Sequence, residues 1–264
     1  MKKRLGIPAL SLIFLLVLSM PVFGNVSGDI SSNITESRGE RLAREFAENL
    51  DPESMKMVLS EEPNDEGRVR HLYLKLIRPL IGGVRIAELE VEAHDVKFTA
   101  PSSWTEKPVD MEEILHVKAW GKLKEKDINN SLLQKEFGED EHWHDLYLDF
   151  TEEGLFAKGY YLAKVLMLRF DILIEITGEL GIVDKQQIWL ENYNVSVNRV
   201  DLPEGLTEKA ISKIQPILDL SRFIFPLQLH SVDMDDSSVV LRSRVKPEEF
   251  EGVTYNYNSR ENLK

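Results

Sequence analysis

The sequence predicts a single α+β domain in which a long, strongly curved antiparallel β-sheet wraps around helices. Apolar and polar residues alternate in several long segments, which is the period of strands with one buried face. Helical spacing occurs in two segments of the predicted domain, 127–135 and 206–220. The 264 residues are 42% hydrophobic, which is enough for a real core.

The composition excludes several classes of function. The chain has no cysteine, which excludes disulfides, thiolate catalysis, Cys-based zinc sites and Fe–S clusters. Its formal charge of −13 opposes binding to phosphate backbones, so we expect no nucleic-acid partner. The sequence contains no GxSxG, HExxH, Walker or GxGxxG motif. We therefore predict that the protein is not an enzyme, has no catalytic residues and needs no cofactor.

Residues 1–24 have the features of a signal peptide. Basic residues at 2–4 precede an apolar stretch over 7–18, and Val22 and Gly24 fit the small-residue requirement of a signal-peptidase site. The apolar stretch is shorter than the ~20 residues that span a bilayer. We expect cleavage after Gly24 and export to the periplasm, the cell envelope or the medium. An uncleaved N-terminal anchor is the alternative.

The rest of the chain divides into three segments. Residues 25–65 form a polar leader with an amphipathic helix over 37–50, and a short helical turn is predicted near 55–59. Residues 66–245 carry the alternating patterns of the predicted domain. Residues 246–264 are polar and lack periodicity, so they are predicted to be a loosely ordered tail.

The strongest pattern in the chain is a long strand over 165–177. Its polar face carries Arg169, Asp171 and Glu175, and six apolar residues share the other face. These six are Leu166, Leu168, Phe170, Ile172, Ile174 and Ile176.

Another predicted strand region contains a break in its alternating pattern. Its apolar residues occupy odd-numbered positions up to Ala93 and even-numbered positions from Val96, which predicts a β-bulge between them.

The segment 206–220 provides an apolar helical stripe that we expect to meet this strand face. Pro216 lies inside the segment and predicts a kink or two short helices. The residues of the stripe that would face the strand are Ala210, Ile211, Ile214 and Leu218. Any groove between the two would be an apolar wall for lipid, with Phe170 and Ile172 touching the acyl chain.

The patterns allow two functions. Long, bent sheets on helices can leave an apolar groove that suits an acyl chain. The same faces could also form a fully packed core. In that case the protein would be a structural or scaffold component of the envelope, and its acidic surface would dock a protein partner.

The histidines suggest one metal site, which we do not assign. His142 and His144 follow the acidic residues 139–141 and could bind a divalent ion. A solvated acidic loop explains the segment without a metal. The other four histidines lie in strand patterns and are assigned no role: His71, His94, His116 and His230.

Two tryptophans bear on membrane contact. Trp104 and Trp143 lie in predicted loops, from which they could dip into a membrane interface. Few lysines and arginines surround them, so the electrostatic part of such binding is weak. We expect no more than a transient contact with a membrane.

The order of elements and several short motifs carry a resemblance to a known family. A strand pair surrounds 82–91, Asp127-Ile128-Asn129 opens a helix, Leu202-Pro203 precedes the late helix, and 226–229 leads into the last strands. Over about residues 66–245 the chain resembles the LmeA-like family of exported proteins.

The resemblance implies both a fold and a function. The fold would be similar to that of tubular lipid-binding (TULIP-like) proteins, in which a curved antiparallel sheet wraps a long helix. The function would be the binding or carriage of phospholipid, or of another acyl-chain lipid, in the envelope without catalysis. The family offers no head-group motif that can be placed on particular residues here.

Overall fold

The computed structural model describes most of the chain after the predicted signal peptide. The described residues are 36–81, 84–136, 142–151, 154–165, 168–212, 215–221 and 223–259. The predicted signal peptide at 1–24 lies outside them.

Within these ranges the chain is mostly antiparallel strand, with few helices. The helices are α1 (Arg38–Leu50), α2 (Glu125–Glu136) and α3 (Glu204–Ile211), with a 3-10 turn at Pro101–Ser103. The strands are β1 (Ser54–Leu59), β2 (Arg68–Ile77), β3 (Leu80–Ile81), β4 (Val84–Arg85), β5 (Glu88–Phe98), β6 (Met111–Lys124), β7 (Trp143–Thr151), β8 (Gly154–Val165), β9 (Leu168–Val183), β10 (Gln187–Val197), β11 (Val200–Asp201), β12 (Leu218–Asp219), β13 (Ser231–Asp235), β14 (Ser238–Arg242) and β15 (Val253–Asn258).

The strands form two main open sheets. The first has seven strands in the order β13-β14-β6-β5-β2-β1-β15. The second has the order β11-β10-β9-β8-β7, with β12 also paired to β10, and β3 and β4 form a separate hairpin. One hydrophobic core cluster draws residues from both sheets. The predicted single domain of mostly antiparallel strands with few helices is therefore confirmed, but its strands form two main open sheets and not one long sheet.

Helix α1 confirms the predicted amphipathic helix. Ser37 caps its first turn and Glu40 completes a capping box. The predicted stripe is buried, and Phe46 packs against Phe98 and Phe225 with ring centroids 6.1 and 5.8 Å apart. Burial of this stripe fixes α1 on the seven-stranded sheet.

The predicted helical turn near 55–59 is wrong, since these residues belong to strand β1. Met55, Met57 and Leu59 alternate and are all buried, as expected of a strand with one core face. Strand β1 pairs with β2 on one side and with β15 on the other. The sheet therefore begins inside the segment that the sequence suggested was a leader.

The predicted loosely ordered tail at 246–264 is wrong for residues 253–258. These residues form β15, in which all six positions pair with β1. Tyr255 and Tyr257 share a face and pack against the core. The period-two pattern was present in the sequence, but the intervening threonine and asparagines made the segment resemble a polar tail.

The β-bulge predicted in β5 between Ala93 and Val96 is not present as an inserted residue. What changes there is which positions carry the buried apolar residues, from odd-numbered to even-numbered. Ala93 and Val96 are both buried, so the buried face does change between them. The register with β2 nevertheless continues through His71↔His94 and Val69↔Val96. Asp95 lies between them with a left-handed φ of 49°, which accompanies the change of face.

The predicted helix over 206–220 is confirmed only in its first half. Helix α3 ends at Ile211, and Leu218 lies in strand β12, where it pairs with Ile188 of β10. Pro216 has no backbone N–H to continue a helix, and it disfavours helical geometry at the preceding residue. The chain therefore leaves the helix and returns along the edge of the second sheet.

Candidate functional site

Strand β9 carries the apolar face that the sequence predicted, and this face is longer than expected. The strand has 16 residues and runs to Val183. Its even-numbered positions are Leu168, Phe170, Ile172, Ile174, Ile176, Gly178, Leu180 and Ile182. Seven of these eight positions are apolar side chains on one side of the sheet.

Exposure changes sharply along this face. Leu168 is 63% exposed and Phe170 is 46% exposed, whereas Ile174 is only 3% exposed. Ile172 lies between these extremes and packs at the margin of the core cluster. Soluble proteins rarely leave neighbouring large apolar side chains exposed without a functional reason. The outer end of β9 is therefore a candidate binding surface that is continuous with the core.

The neighbouring strands extend this face sideways. On β8, Tyr161 pairs with Ile172, and on β10, Val197 pairs with Ile174. Directly opposed residues on antiparallel strands project to the same side of the sheet. Tyr161 therefore lies beside Ile172 and packs against the core as well. Its phenol group adds a polar tip to an otherwise apolar surface.

The structure places only part of the other predicted wall next to this face. Ile211 of α3 is fully buried in the same core cluster as Ile174, and Leu218 packs at the margin of that cluster. However, Leu218 reaches the cluster from strand β12 and not from a helix. Leu166 and Ile214 lie outside the described residues, as does the side chain of Ala210.

One apolar pocket between the layers is small. It has a volume of about 40 Å³ and lies between the seven-stranded sheet and residues 218–221 and 223–229. Its lining includes Leu89, Gly121, Leu218 and Leu241. Ligand pockets typically measure roughly 300–1,000 Å³. This pocket does not hold an acyl chain in the conformation seen.

A larger cleft of about 770 Å³ lies beside α1 and has several charged side chains in its lining. Arg38, Arg41 and Asp65 line it together with Trp104. Two of these charged residues already pair with each other, since Arg38 donates to Asp65 at 2.5 Å. The cleft therefore does not suit an acyl chain.

Trp104 does not dip into a membrane interface as the sequence allowed. Its side chain is buried, and Nε1 donates a hydrogen bond to the carbonyl oxygen of Thr99 at 2.7 Å. The ring is therefore part of the core that closes the end of β5. The side chain of Trp143 lies outside the described residues.

One of the histidines considered for a metal lies on the polar face of the sheet, opposite the candidate face. His144 Nε2 lies 3.1 Å from an oxygen of Asp171, and the ring stacks on Tyr160. The hydrogen bond to Asp171 raises the pKa of His144. His142 stacks on Tyr161 instead, with centroids 5.8 Å apart. The acidic residues 139–141 that would complete the predicted metal site lie outside the described residues.

A second cluster was missed by the sequence patterns. Glu92 is 3% exposed, and its carboxylate is surrounded by His71, His94 and Lys118. Burial alone would raise the pKa of Glu92, but hydrogen bonds from Lys118, the Glu248 N–H and the two histidines lower it to about 2. Glu92 and His94 are two residues apart, but every other pair in this cluster is separated by 21 or more residues in the sequence. Only the strand register therefore reveals the cluster.

The fold and the candidate face define an antiparallel β-sheet protein with an apolar surface that is partly open to solvent. Among the described residues, no helix is both long enough and apolar enough to cross a membrane. The chain belongs to the LmeA-like phospholipid-binding family, whose model matches residues 66–244, more than half of the chain. This confirms the resemblance seen in the sequence. No curated protein and no solved structure matches the chain.

Proposed function

We propose that the protein binds phospholipid by placing an acyl chain along the apolar face of β8 and β9. The observation that carries the proposal is the gradient of exposure on β9, from the open Phe170 to the buried Ile174. A chain that docks at the open end stays in contact with apolar side chains as it approaches the core. The family supports lipid as the ligand, since it is a phospholipid-binding family.

The affinity available from this face is sufficient without a charged clamp for the head group. Each buried methylene contributes ~0.8 kcal/mol, so ten methylenes contribute roughly 8 kcal/mol before ordering costs. The surrounding charge does not favour anionic lipids, because the chain carries a net charge of −13. The apolar contact would therefore dominate binding.

Deeper insertion would need a rearrangement of the segment that carries β12. In the conformation seen, Leu218 and its neighbours leave a pocket of only about 40 Å³. On this proposal the strands curve around the helices as in TULIP-like proteins. The inner end of the acyl chain would pass from the face of β9 into the space between the seven-stranded sheet and residues 215–221 and 223–229. Movement of that segment away from β5 and β6 would enlarge the pocket.

We also propose that the protein is exported and acts as a non-catalytic carrier or holder of lipid in the periplasm, the envelope or the medium. The basic and apolar pattern of residues 1–24 supports export. Mass measurement of the mature protein tests it, since cleavage after Gly24 leaves Asn25 as the first residue. A full-length mass in the exported fraction would show a retained anchor.

Native mass spectrometry of gently purified protein tests lipid binding. We expect a complex of one chain with phospholipid, either co-purified or formed on addition of phospholipid. The absence of both would overturn the proposal. Dissociation of the complex into lipid masses would also identify the head group.

A structural role remains the second candidate, and the small pocket favours it. If the core is fully packed, the acidic surface would dock a protein partner in the envelope. This candidate predicts that added phospholipid leaves the mass of the native protein unchanged. The same experiment therefore separates the two functions.

A further inference from the structure

Three histidines from three different strands form a row across the seven-stranded sheet. His71 of β2 pairs directly with His94 of β5, which pairs directly with His116 of β6. The His71 and His94 rings stack with centroids 4.2 Å apart, and the His94 and His116 rings are 6.3 Å apart. Strand register, and not sequence spacing, brings these imidazoles together.

Glu92 places a carboxylate beside two of these imidazoles. It precedes His94 by two residues, so both lie on the same side of β5. Its Oε1 atom is 3.0 Å from His71 Nε2 and 2.8 Å from His94 Nε2. The three atoms that could bind a metal ion, one from each residue, all lie within 4.8 Å of one another.

The surroundings hold this group in place. The Glu248 N–H donates to Glu92 Oε2 at 2.8 Å, and Phe250 stacks on His71 with centroids 3.8 Å apart. The segment that the sequence suggested was a loose tail therefore covers the cluster. Ligands held by such outer contacts on rigid strands are well ordered before an ion arrives.

We infer that His71, Glu92 and His94 form a binding site for one divalent transition-metal ion, with Zn²⁺ as the best match. Two imidazole nitrogens and one carboxylate oxygen are a donor set that zinc uses in proteins. Each Nε2–H proton that faces Glu92 would move to Nδ1 of the same ring through solvent, which frees the Nε2 lone pair for the ion. Zinc bonds of about 2.0–2.2 Å would then fit among atoms at these separations after a small outward movement. His94 is partly exposed, so water can complete the coordination shell.

Lys118 would compete with a metal ion for the carboxylate of Glu92. Its Nζ atom lies 2.9 Å from both oxygens of Glu92. An ion on Oε1 would repel the ammonium group, which would have to remain on Oε2 alone. The lysine therefore weakens metal binding, and its replacement by an uncharged hydrogen-bond donor should strengthen it.

The test is a titration of the mature protein with Zn²⁺, followed by calorimetry and by ¹H–¹⁵N spectra of the histidine rings. We expect one ion per chain, with the His71 and His94 ring signals shifted and the His230 signal unchanged. His94→Gln should weaken binding at least tenfold, as is usual for the loss of a metal ligand or its support. Lys118→Gln should bind more tightly than the natural protein.

The matched control is His144→Gln, which removes a histidine with two carboxylate neighbours elsewhere in the fold and should leave the affinity unchanged. The inference is overturned if the protein does not bind Zn²⁺, if His94→Gln binds as tightly as the natural protein, or if His144→Gln abolishes binding. The ring spectra of the natural protein decide the matter even if a variant fails to fold. The outcome does not depend on lipid binding.

Discussion

Phe170 and Ile174 lie on the same face of β9, four residues apart, yet Phe170 is 46% exposed and Ile174 is 3% exposed. The first belongs to an open apolar surface and the second to the core. Substitutions at the two positions should therefore have different effects. Phe170 should govern ligand binding, whereas Ile174 should govern stability.

Replacement of Phe170 by aspartate should reduce phospholipid binding by roughly tenfold or more, because a charged group would face the acyl chain. The free energy of unfolding should change by only about 0.5 kcal/mol, since the side chain is exposed. Binding to vesicles and urea denaturation measure the two effects. Leu115→Asp is the matched control, because Leu115 is a 77% exposed strand residue of the other sheet. Equal binding by the two variants would remove β9 from the proposed site.

Ile174→Trp should destabilise the protein by about 1–3 kcal/mol, because the larger ring overpacks a filled core. The sequence alone left open whether this position lines a groove, in which case the ring would fit and the melting temperature would hold. Thermal denaturation distinguishes the two. An unchanged melting temperature together with lost lipid binding would show that the groove extends to Ile174.

Glu92 should make the protein sensitive to acid. The pKa of Glu92 falls from an ordinary value of 4.5 to about 2 in the folded protein. A carboxylate whose folded pKa is lowered stabilises the fold above its unfolded pKa, and this contribution is lost as pH falls from about 4.5 to about 2. Glu92→Gln should therefore lower stability at neutral pH by about 3 kcal/mol, because Lys118 loses its charged partner.

The same variant should lose less stability on acidification than the natural protein, and urea denaturation at about pH 5 and about pH 3 measures this. Glu61 is the comparison, since its hydrogen bond from Arg70 also lowers its pKa to about 2. Arg70 is largely exposed, so solvent screens the pair and Glu61→Gln should have a smaller effect. Identical effects of the two variants would contradict the buried role of Glu92.

Deletion of residues 253–264 should destabilise the protein by at least about 2 kcal/mol, because it removes the apolar contacts of Tyr255 and Tyr257 with the core. It would also leave β1 as an unpaired edge strand, which promotes aggregation. Denaturation and light scattering check both effects. A deletion variant as stable and monomeric as the full chain would show that β15 is dispensable.

The sequence predicted the parts of the fold that depend on one strong local pattern. The face of β9 and the stripe of α1 repeat over many residues, so their period was clear. Strand β12 could not be predicted, because the position of Leu218 depends on its pairing with Ile188. The Glu92 cluster depends in the same way on the register of β2, β5 and β6.

The contact between the acyl chain and β9 can be measured most directly by photo-crosslinking. A phospholipid with a diazirine in its acyl chain would be bound to the mature protein, and the complex would be irradiated. Mass spectrometry of the digested protein would then identify the modified peptides. The proposed site predicts adducts at Phe170 and Ile172, and at Tyr161 on the neighbouring strand. Adducts confined to other parts of the chain, or an absence of adducts, would contradict the assignment of this face as the lipid-binding surface.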